Sequence, residues 1–283
     1  MRPRRPLALQ VARLPAPLRV GTFLLGVALG WMPLALPIYL LVPDANLASI
    51  LGTGWLFVAF LIWLQVWNRW VYRRSLPLAR YGWRWDKASG RAFVGGFGVG
   101  AVAVLALFGL QALLGWRSLQ VPTAPTLSLW RATVEGAIVA VAVGTAEELL
   151  FRGWLLDELE RDYQPPLALA LDAGLFAIAH FLKPWAEIVR TLPQFPGLIL
   201  LGMLLVYAKR RSGGHLGLAI GLHAGLVWGY YLVAVGELAG APRAAPWLVG
   251  IDNNPLASAL GWLGLSSLVV WMRPQPGSPD AGT

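Results

Sequence analysis

Long apolar runs, separated by short polar and basic stretches, are the dominant pattern of this sequence. Eight of them approach or reach the roughly 20 residues that a helix needs to cross a bilayer. They cover residues 20–42, 48–70, 92–115, 129–151, 165–181, 193–208, 215–235 and 256–272. The pattern predicts an all-α polytopic membrane protein with about eight transmembrane helices.

The polar stretches divide the chain into four predicted segments. These are a basic N-terminal segment (1–19), a three-span membrane part (20–128), a five-span part (129–272) and a disordered tail (273–283). Glycine is frequent in the third apolar run, which predicts close packing of that helix against a neighbour. The helix of the fourth run is predicted to continue through Leu159 and to turn back near residues 162–164.

Composition supports the membrane class and sets the orientation. Hydrophobic residues make up 57% of the chain and charged residues only 13%, against about 25% charged in soluble domains. The net charge of +9 does not indicate a nucleic-acid partner, because the basic residues lie between apolar runs rather than on one face. With the N-terminus inside, cytoplasmic segments hold 18 of the 23 Lys and Arg residues, which predicts cytoplasmic termini. We expect an integral protein of a prokaryotic cytoplasmic membrane.

Two adjacent glutamates end the fourth run and an arginine follows them, as Glu147-Glu148-x-x-x-Arg152. In a helix, Glu148 and Arg152 stand one above the other at i,i+4, while Glu147 points about 100° away. Ionisable groups at membrane depth are costly and indicate a functional site. The alternative is a helix end at the membrane surface that carries a solvated charge pair.

Two histidines lie inside other apolar runs. His180 ends the fifth run and shares one helical stripe with Asp172 and Phe176, and His223 lies in the seventh run. A lone membrane histidine is often a hydrogen-bonding residue of helix packing. Two histidines and a glutamate pair, spread over three runs, favour a site. Asp172 is predicted to hold the His180 ring or to pair with Arg152.

Depth along the helices favours one common site. Glu147 and His180 both lie roughly 22–27 Å from the tip of the predicted hairpin between the fourth and fifth runs. His223 lies roughly 14 Å from the inner edge of the seventh run. The depths of Glu147, His180 and His223 in the bilayer agree if the hairpin tip projects about 10 Å into the cytosol. The site would then lie in the inner half of the bilayer.

These side chains allow more than one chemistry. A carboxylate and a histidine can hold and deprotonate a water, and a second histidine can stabilise an oxyanion. Two histidines and a glutamate are also a ligand set of catalytic zinc. No His-Glu-x-x-His motif is present, so no spacing supports the zinc alternative. The absence of cysteine excludes thiolate chemistry and disulfides.

Three motifs, each on a predicted span, resemble those of the CPBP family. They are Glu147-Glu148-x-x-x-Arg152, Phe176-x-x-x-His180 and the intramembrane His223. Members of this family include CAAX prenyl proteases and bacterial proteins of bacteriocin processing or immunity. The resemblance covers about Leu129 to Met272. It implies an intramembrane protease core that cuts a membrane-associated peptide or protein substrate, with the lipid bilayer as its surroundings.

The resemblance also implies a role for each residue. Glu147 would activate a water together with His180, and His223 would belong to an oxyanion hole. The supporting residues would be Glu148, Arg152 and Phe176. Metal-dependent and metal-free mechanisms are both held for the family, and we expect no cofactor. If zinc is bound, its ligands would be Glu147, His180 and His223.

The third motif departs from the family pattern, which carries His-x-x-x-Asn. This chain has Val227 at the last position, and valine cannot donate a hydrogen bond. The oxyanion hole would then lack one donor, or take it from Tyr230, Asn253 or Asn254. Because of Val227, an alternative function remains: a catalytically weak or inactive family member that acts by binding, as an immunity or regulatory protein.

A transporter is a further alternative, with Glu135, Asp172 and the glutamate pair along its ion pathway. Unwound spans at the midplane and an inverted repeat would favour a transporter. The sequence shows neither feature.

Overall fold

The computed structural model describes residues 7–75, 78–84, 86–120 and 126–274. Most of these residues lie in helices, as the apolar runs predict. The tail predicted over 273–283 falls, from residue 275 onward, outside the described residues.

The helices follow the apolar runs of the sequence. In chain order they are α1 (Leu7–Val11), α2 (Ala16–Leu41), α3 (Ala45–Trp70), α4 (Lys87–Leu113), α5 (Thr126–Glu148), a π-helix (Leu149–Leu155), α6 (Leu156–Glu160), α7 (Pro165–Ala179), α8 (Trp185–Thr191), α9 (Phe195–Arg211), α10 (Gly217–Val235), α11 (Pro246–Val249) and α12 (Ala259–Met272). Short 3₁₀ turns lie between some of them. Helix α8 lies outside the predicted runs.

Among the described residues, five segments are long and apolar enough to cross a membrane, so the chain is a polytopic membrane protein. They are α2, α3, α4, the α8–α9 segment Trp185–Arg211, and α10. Helices α7 and α12 are apolar but shorter. Helix α5 has 23 residues and carries Glu135, Glu147 and Glu148.

The first of two compact units comprises the described residues of Met1–Arg80 together with Glu158–Asp162. Inside it, α2 and α3 pack through edge-to-face aromatic contacts. The Phe23 ring lies 5.4 Å from the ring of Trp67 and 6.0 Å from that of Phe60. Such aromatic pairs stabilise the contact between the two helices beyond the effect of the apolar area they bury.

A buried ionic cluster ties the stretch Glu158–Asp162 into this unit. Arg19 donates from Nε to Glu158 (2.9 Å) and from Nη1 to Asp162 (3.1 Å). The Tyr72 hydroxyl donates to the second carboxylate oxygen of Glu158 (2.6 Å). Burial, and then the Glu158 charge, raise the pKa of Tyr72, so this hydroxyl keeps its proton.

The second unit comprises the described residues of Tyr81–Asp157 and Tyr163–Thr283. In this unit α4 and α10 pack backbone against backbone. A Cβ at Gly221 or Gly225 of α10 would collide with the carbonyl oxygen of Phe93 or Phe97 of α4. Glycines of α4 approach the α10 backbone in the same way at Gly96 and Gly100. The close packing predicted for the glycine-rich third run is confirmed, and it fixes the helix that carries His223.

We expect Gly221→Ala to destabilise the protein by about 1–3 kcal/mol, because the added methyl group must push α4 away from α10. Thermal unfolding of the purified protein measures the change. The matched control is Gly98→Ala on α4, where a Cβ meets nothing within 4 Å, and its expected effect is within about 0.5 kcal/mol. Equal shifts for the two variants would contradict the backbone contact.

Two further glycines bring the other site helices together. A Cβ at Gly144 of α5 would lie 3.3 Å from the backbone nitrogen of Ala224 of α10. A Cβ at Gly202 of α9 would lie 2.8 Å from Cα of Ala173 of α7. Helix α5 therefore lies against α10, and α7 against α9, with little space for side chains between them.

Candidate active site

The glutamate pair lies where α5 changes into the π-helix. Glu147 and Glu148 are the last residues of α5, and Arg152 lies in the π-helix. The N–H of Leu156 donates to the carbonyl of Phe151, five residues earlier, as π-helical geometry requires. The helix does continue past Leu159, as predicted, but the apolar pattern gave no sign of the π-helix, a form often found at functional sites.

Arg152 is buried, and its guanidinium makes three polar contacts. Its Nη1 donates to Oε1 of Glu148 (3.0 Å), its Nε lies 3.4 Å from Oδ2 of Asp172, and its Nη2 donates to the carbonyl of Gly202 (3.1 Å). Both carboxylates are fully buried. The predicted pair of Glu148 with Arg152 is confirmed, and of the two partners predicted for Asp172 the structure has Arg152.

His223 is oriented by Glu148, a contact that the sequence did not reveal. The ring nitrogen Nδ1 lies 2.9 Å from Oε1 of Glu148. A carboxylate paired with Arg152 can only accept, so Nδ1 carries the proton and Nε2 is left for other partners. Glu148 therefore pairs with Arg152 and also orients His223. A carboxylate behind a histidine occurs with zinc ligands and with general bases alike, so this contact does not choose between them.

His180 is oriented by its own helix. Its Nδ1 lies 2.8 Å from the carbonyl oxygen of Phe176, one turn earlier. Because a carbonyl only accepts, Nδ1 donates, and the neutral ring presents Nε2 as an acceptor.

The Phe176 ring packs against several site residues. Its centroid lies 4.6 Å from the His180 ring, 4.3 Å from the Arg152 guanidinium and 6.2 Å from the His223 ring. The ring is fully buried. Phe176 therefore contacts the residues it is predicted to support, through ring packing and a cation–π contact.

Glu147 and the two histidines converge. Oε2 of Glu147 lies 4.0 Å from Nε2 of His180 and 3.9 Å from Nε2 of His223. This oxygen is buried and has no hydrogen-bond partner among the described residues. The side chains of Glu147 and His180 are 29% and 35% exposed, against 4% for His223, so the first two are the accessible members.

The two separations from Oε2 of Glu147 are longer than those between the ligands of a tetrahedral zinc ion. Ligands at 2.0–2.2 Å from zinc lie about 3.3–3.6 Å from each other, which is shorter than both observed separations. In the part of the chain that the structure describes, no group of three or more histidines and carboxylates is arranged to hold a metal ion.

A cavity of about 340 Å³ adjoins His223 between α4, α9, α10 and α12. Its walls are mostly aliphatic, and Val227, Tyr230 and Asn254 also line it. Asn253 is not among the lining residues, and its Oδ1 accepts from Nη1 of Arg117 (3.1 Å). Of the three donors suggested by the sequence, Tyr230 and Asn254 thus share a cavity with His223.

Fold and site together define a polytopic membrane protein with a glutamate–histidine centre inside its helical bundle. Residues 129–229 match the family described as type II CAAX prenyl endopeptidase, Rce1-like, so this part of the chain is a domain of that family, whose members are hydrolases. The match spans all the predicted site residues and confirms the resemblance seen in the motifs. Comparisons with curated proteins and with solved structures find no match.

Proposed function

We propose that this protein is an intramembrane endopeptidase that hydrolyses a peptide bond of a membrane-associated peptide or protein. The observation that carries the proposal is the position of Glu147 Oε2, 4.0 and 3.9 Å from the Nε2 atoms of His180 and His223. Both separations are too long for a direct hydrogen bond and suit one bridging water.

Glu147 and His180 activate the water in this proposal. The His180 Nδ1 proton is engaged by the Phe176 carbonyl, so Nε2 can accept a proton from the water, as can the Glu147 carboxylate. The water oxygen attacks the peptide carbonyl carbon, and the protonated residue then gives its proton to the leaving amine. General acid–base catalysis of this kind contributes about 10²–10⁴-fold in rate.

His223 stabilises the oxyanion of the tetrahedral intermediate. Its Nδ1 proton is directed to Glu148, so Nε2 becomes a donor only in the imidazolium form. The Glu148 carboxylate, 2.9 Å away, offsets the positive charge of that form.

The proposed topology has eight spans and cytoplasmic termini in a prokaryotic membrane, with the site in the inner half of the bilayer. The distribution of Lys and Arg supports this orientation. Helix α10 begins at Gly217, shortly after the basic end of α9, which puts His223 about 9 Å along α10 from its cytoplasmic end.

The direct test is cleavage by the full-length protein in liposomes. The probes are a fluorescence-quenched prenylated CAAX peptide, its unprenylated counterpart and an unrelated apolar transmembrane peptide. We expect saturable cleavage of at least one probe. Saturable binding without cleavage of any probe would support the alternative that Val227 favours, a member that acts by binding alone.

We expect the activity to survive metal chelation, because the proposed water activation needs no metal ion. The measurement compares the cleavage rate before and after EDTA or 1,10-phenanthroline, together with metal analysis of the protein. A structural or catalytic zinc would be lost to these chelators. Loss of activity that added zinc restores, with about one ion per chain, would contradict the metal-free mechanism.

A further inference from the structure

Val227 leaves the proposed oxyanion site one donor short, and the wall of the adjoining cavity contains two candidate donors, Tyr230 and Asn254. This inference rests on the proposed function. His223, Val227 and Tyr230 all line the cavity. A donor that serves the oxyanion must lie near Nε2 of His223 and must be free of other hydrogen bonds.

Tyr230 lies on the same face of α10 as His223. Relative to His223, Val227 is turned by about 40° and Tyr230 by only about 20°, at about 6 Å and 10.5 Å along the axis. Tyr230 and Val227, the position where the family carries its asparagine, therefore share one face of α10 with His223, and all three line the cavity.

The Tyr230 hydroxyl is also free to donate. It makes no hydrogen bond to the residues that the structure describes. Its ring packs against a buried apolar cluster of Val104, Phe108 and Val233, which limits its motion. The ring is thus held on a rigid helix with an unused donor at its end.

The other polar side chains of this cavity wall are engaged. Ser267 donates to the carbonyl of Leu263 (2.9 Å), and Oδ1 of Asn254 accepts from the N–H of Leu256 (2.9 Å). Asn254 keeps its amide N–H₂ group, so it is the competing candidate. It lies on the loop between α11 and α12 rather than on the helix of His223.

We propose that the Tyr230 hydroxyl is the second oxyanion donor of this protein and replaces the amide that is absent at Val227. The step is a hydrogen bond only: the phenol donates to the oxyanion and keeps its proton. A phenol is an established type of oxyanion donor.

Tyr230→Phe tests the proposal in the liposome cleavage assay. We expect kcat to fall by about 10²–10³, with KM and the melting temperature unchanged, because the lost bond exists only in the transition state. The matched control is Tyr231→Phe, whose ring packs over Gly136 of α5 and does not line the cavity. The control should keep the wild-type kcat.

Restoring the family donor gives the second arm. Val227→Asn in the Tyr230→Phe background should recover at least about tenfold in kcat, since one donor replaces another. Asn254→Asp keeps the acceptor for Leu256 and removes the amide donor. A larger kcat loss for Asn254→Asp than for Tyr230→Phe, or a wild-type kcat for Tyr230→Phe, overturns the proposal.

The two proposals fail in different ways. If wild-type protein cleaves and Glu147→Gln does not, while Tyr230→Phe is fully active, only the donor assignment is wrong. If the wild-type protein cleaves none of the probes, the proposed function is wrong and the donor assignment falls with it.

Discussion

Glu147→Gln should reduce kcat by at least about 10²–10⁴, the share that a general base contributes. Glutamine keeps the shape of the side chain and one acceptor oxygen, but it cannot take up a proton. The fold should persist, because Oε2 of Glu147 has no hydrogen-bond partner among the described residues to lose. Activity and melting temperature, measured on the same liposome preparation, separate chemistry from folding.

The control for this variant is Glu135→Gln, the same substitution earlier on α5. Glu135 is exposed and lies on the same helix as Glu147, about three turns earlier. We expect wild-type cleavage from it. Equal losses in both variants would mean that the charge of α5, rather than a base at Glu147, supports activity.

Arg152→Ala is expected to destabilise the protein by about 3–5 kcal/mol, which would remove most of the folded protein. The guanidinium lies between the buried carboxylates of Glu148 and Asp172, and its loss leaves two buried charges without their cation. The yield of monodisperse protein and the melting temperature are the measurements. Arg152→Met combined with Asp172→Asn should be milder than Arg152→Met alone, because it removes one charge of each sign.

The control is Arg190→Ala, whose side chain is 52% exposed and lies 2.7 Å from Glu187, which is 46% exposed. A pair of this kind contributes about 0–1 kcal/mol. An Arg152→Ala protein that melts like the wild type but cleaves nothing would contradict a structural role. It would place Arg152 in the chemistry.

The local features of this protein could be predicted from its sequence. Apolar runs of bilayer length become helices because a helix satisfies its backbone groups within one segment. The pair of Glu148 and Arg152 follows from i,i+4 spacing, and the stripe of Phe176 and His180 follows from the same period. The convergence of Glu147, His180 and His223 could be inferred only from depth and from the family resemblance.

Contacts that join distant parts of the chain could not be predicted. Glu148 meets His223 across 75 positions, and Arg152 meets the carbonyl of Gly202 across 50. No periodic pattern carries such information. The π-helix could not be predicted either, because its sequence has the pattern of an ordinary α-helix. The sequence also left Tyr230, Asn253 and Asn254 as equal candidates until the cavity and the Arg117 contact separated them.

The glycines between α4 and α10 have a consequence for how this protein can change over generations. At Gly221 and Gly225 every coding substitution adds at least one carbon atom where a carbonyl oxygen already lies. Even the most similar substitution, glycine to alanine, is not tolerated there, because the alanine side chain is already too large. Substitutions are tolerated at the aliphatic positions that line the cavity, where one side chain can replace another of similar volume. The helix that carries His223 cannot accept substitutions at these glycines. Substrate preference can therefore change through the cavity-lining side chains while the position of His223 stays fixed.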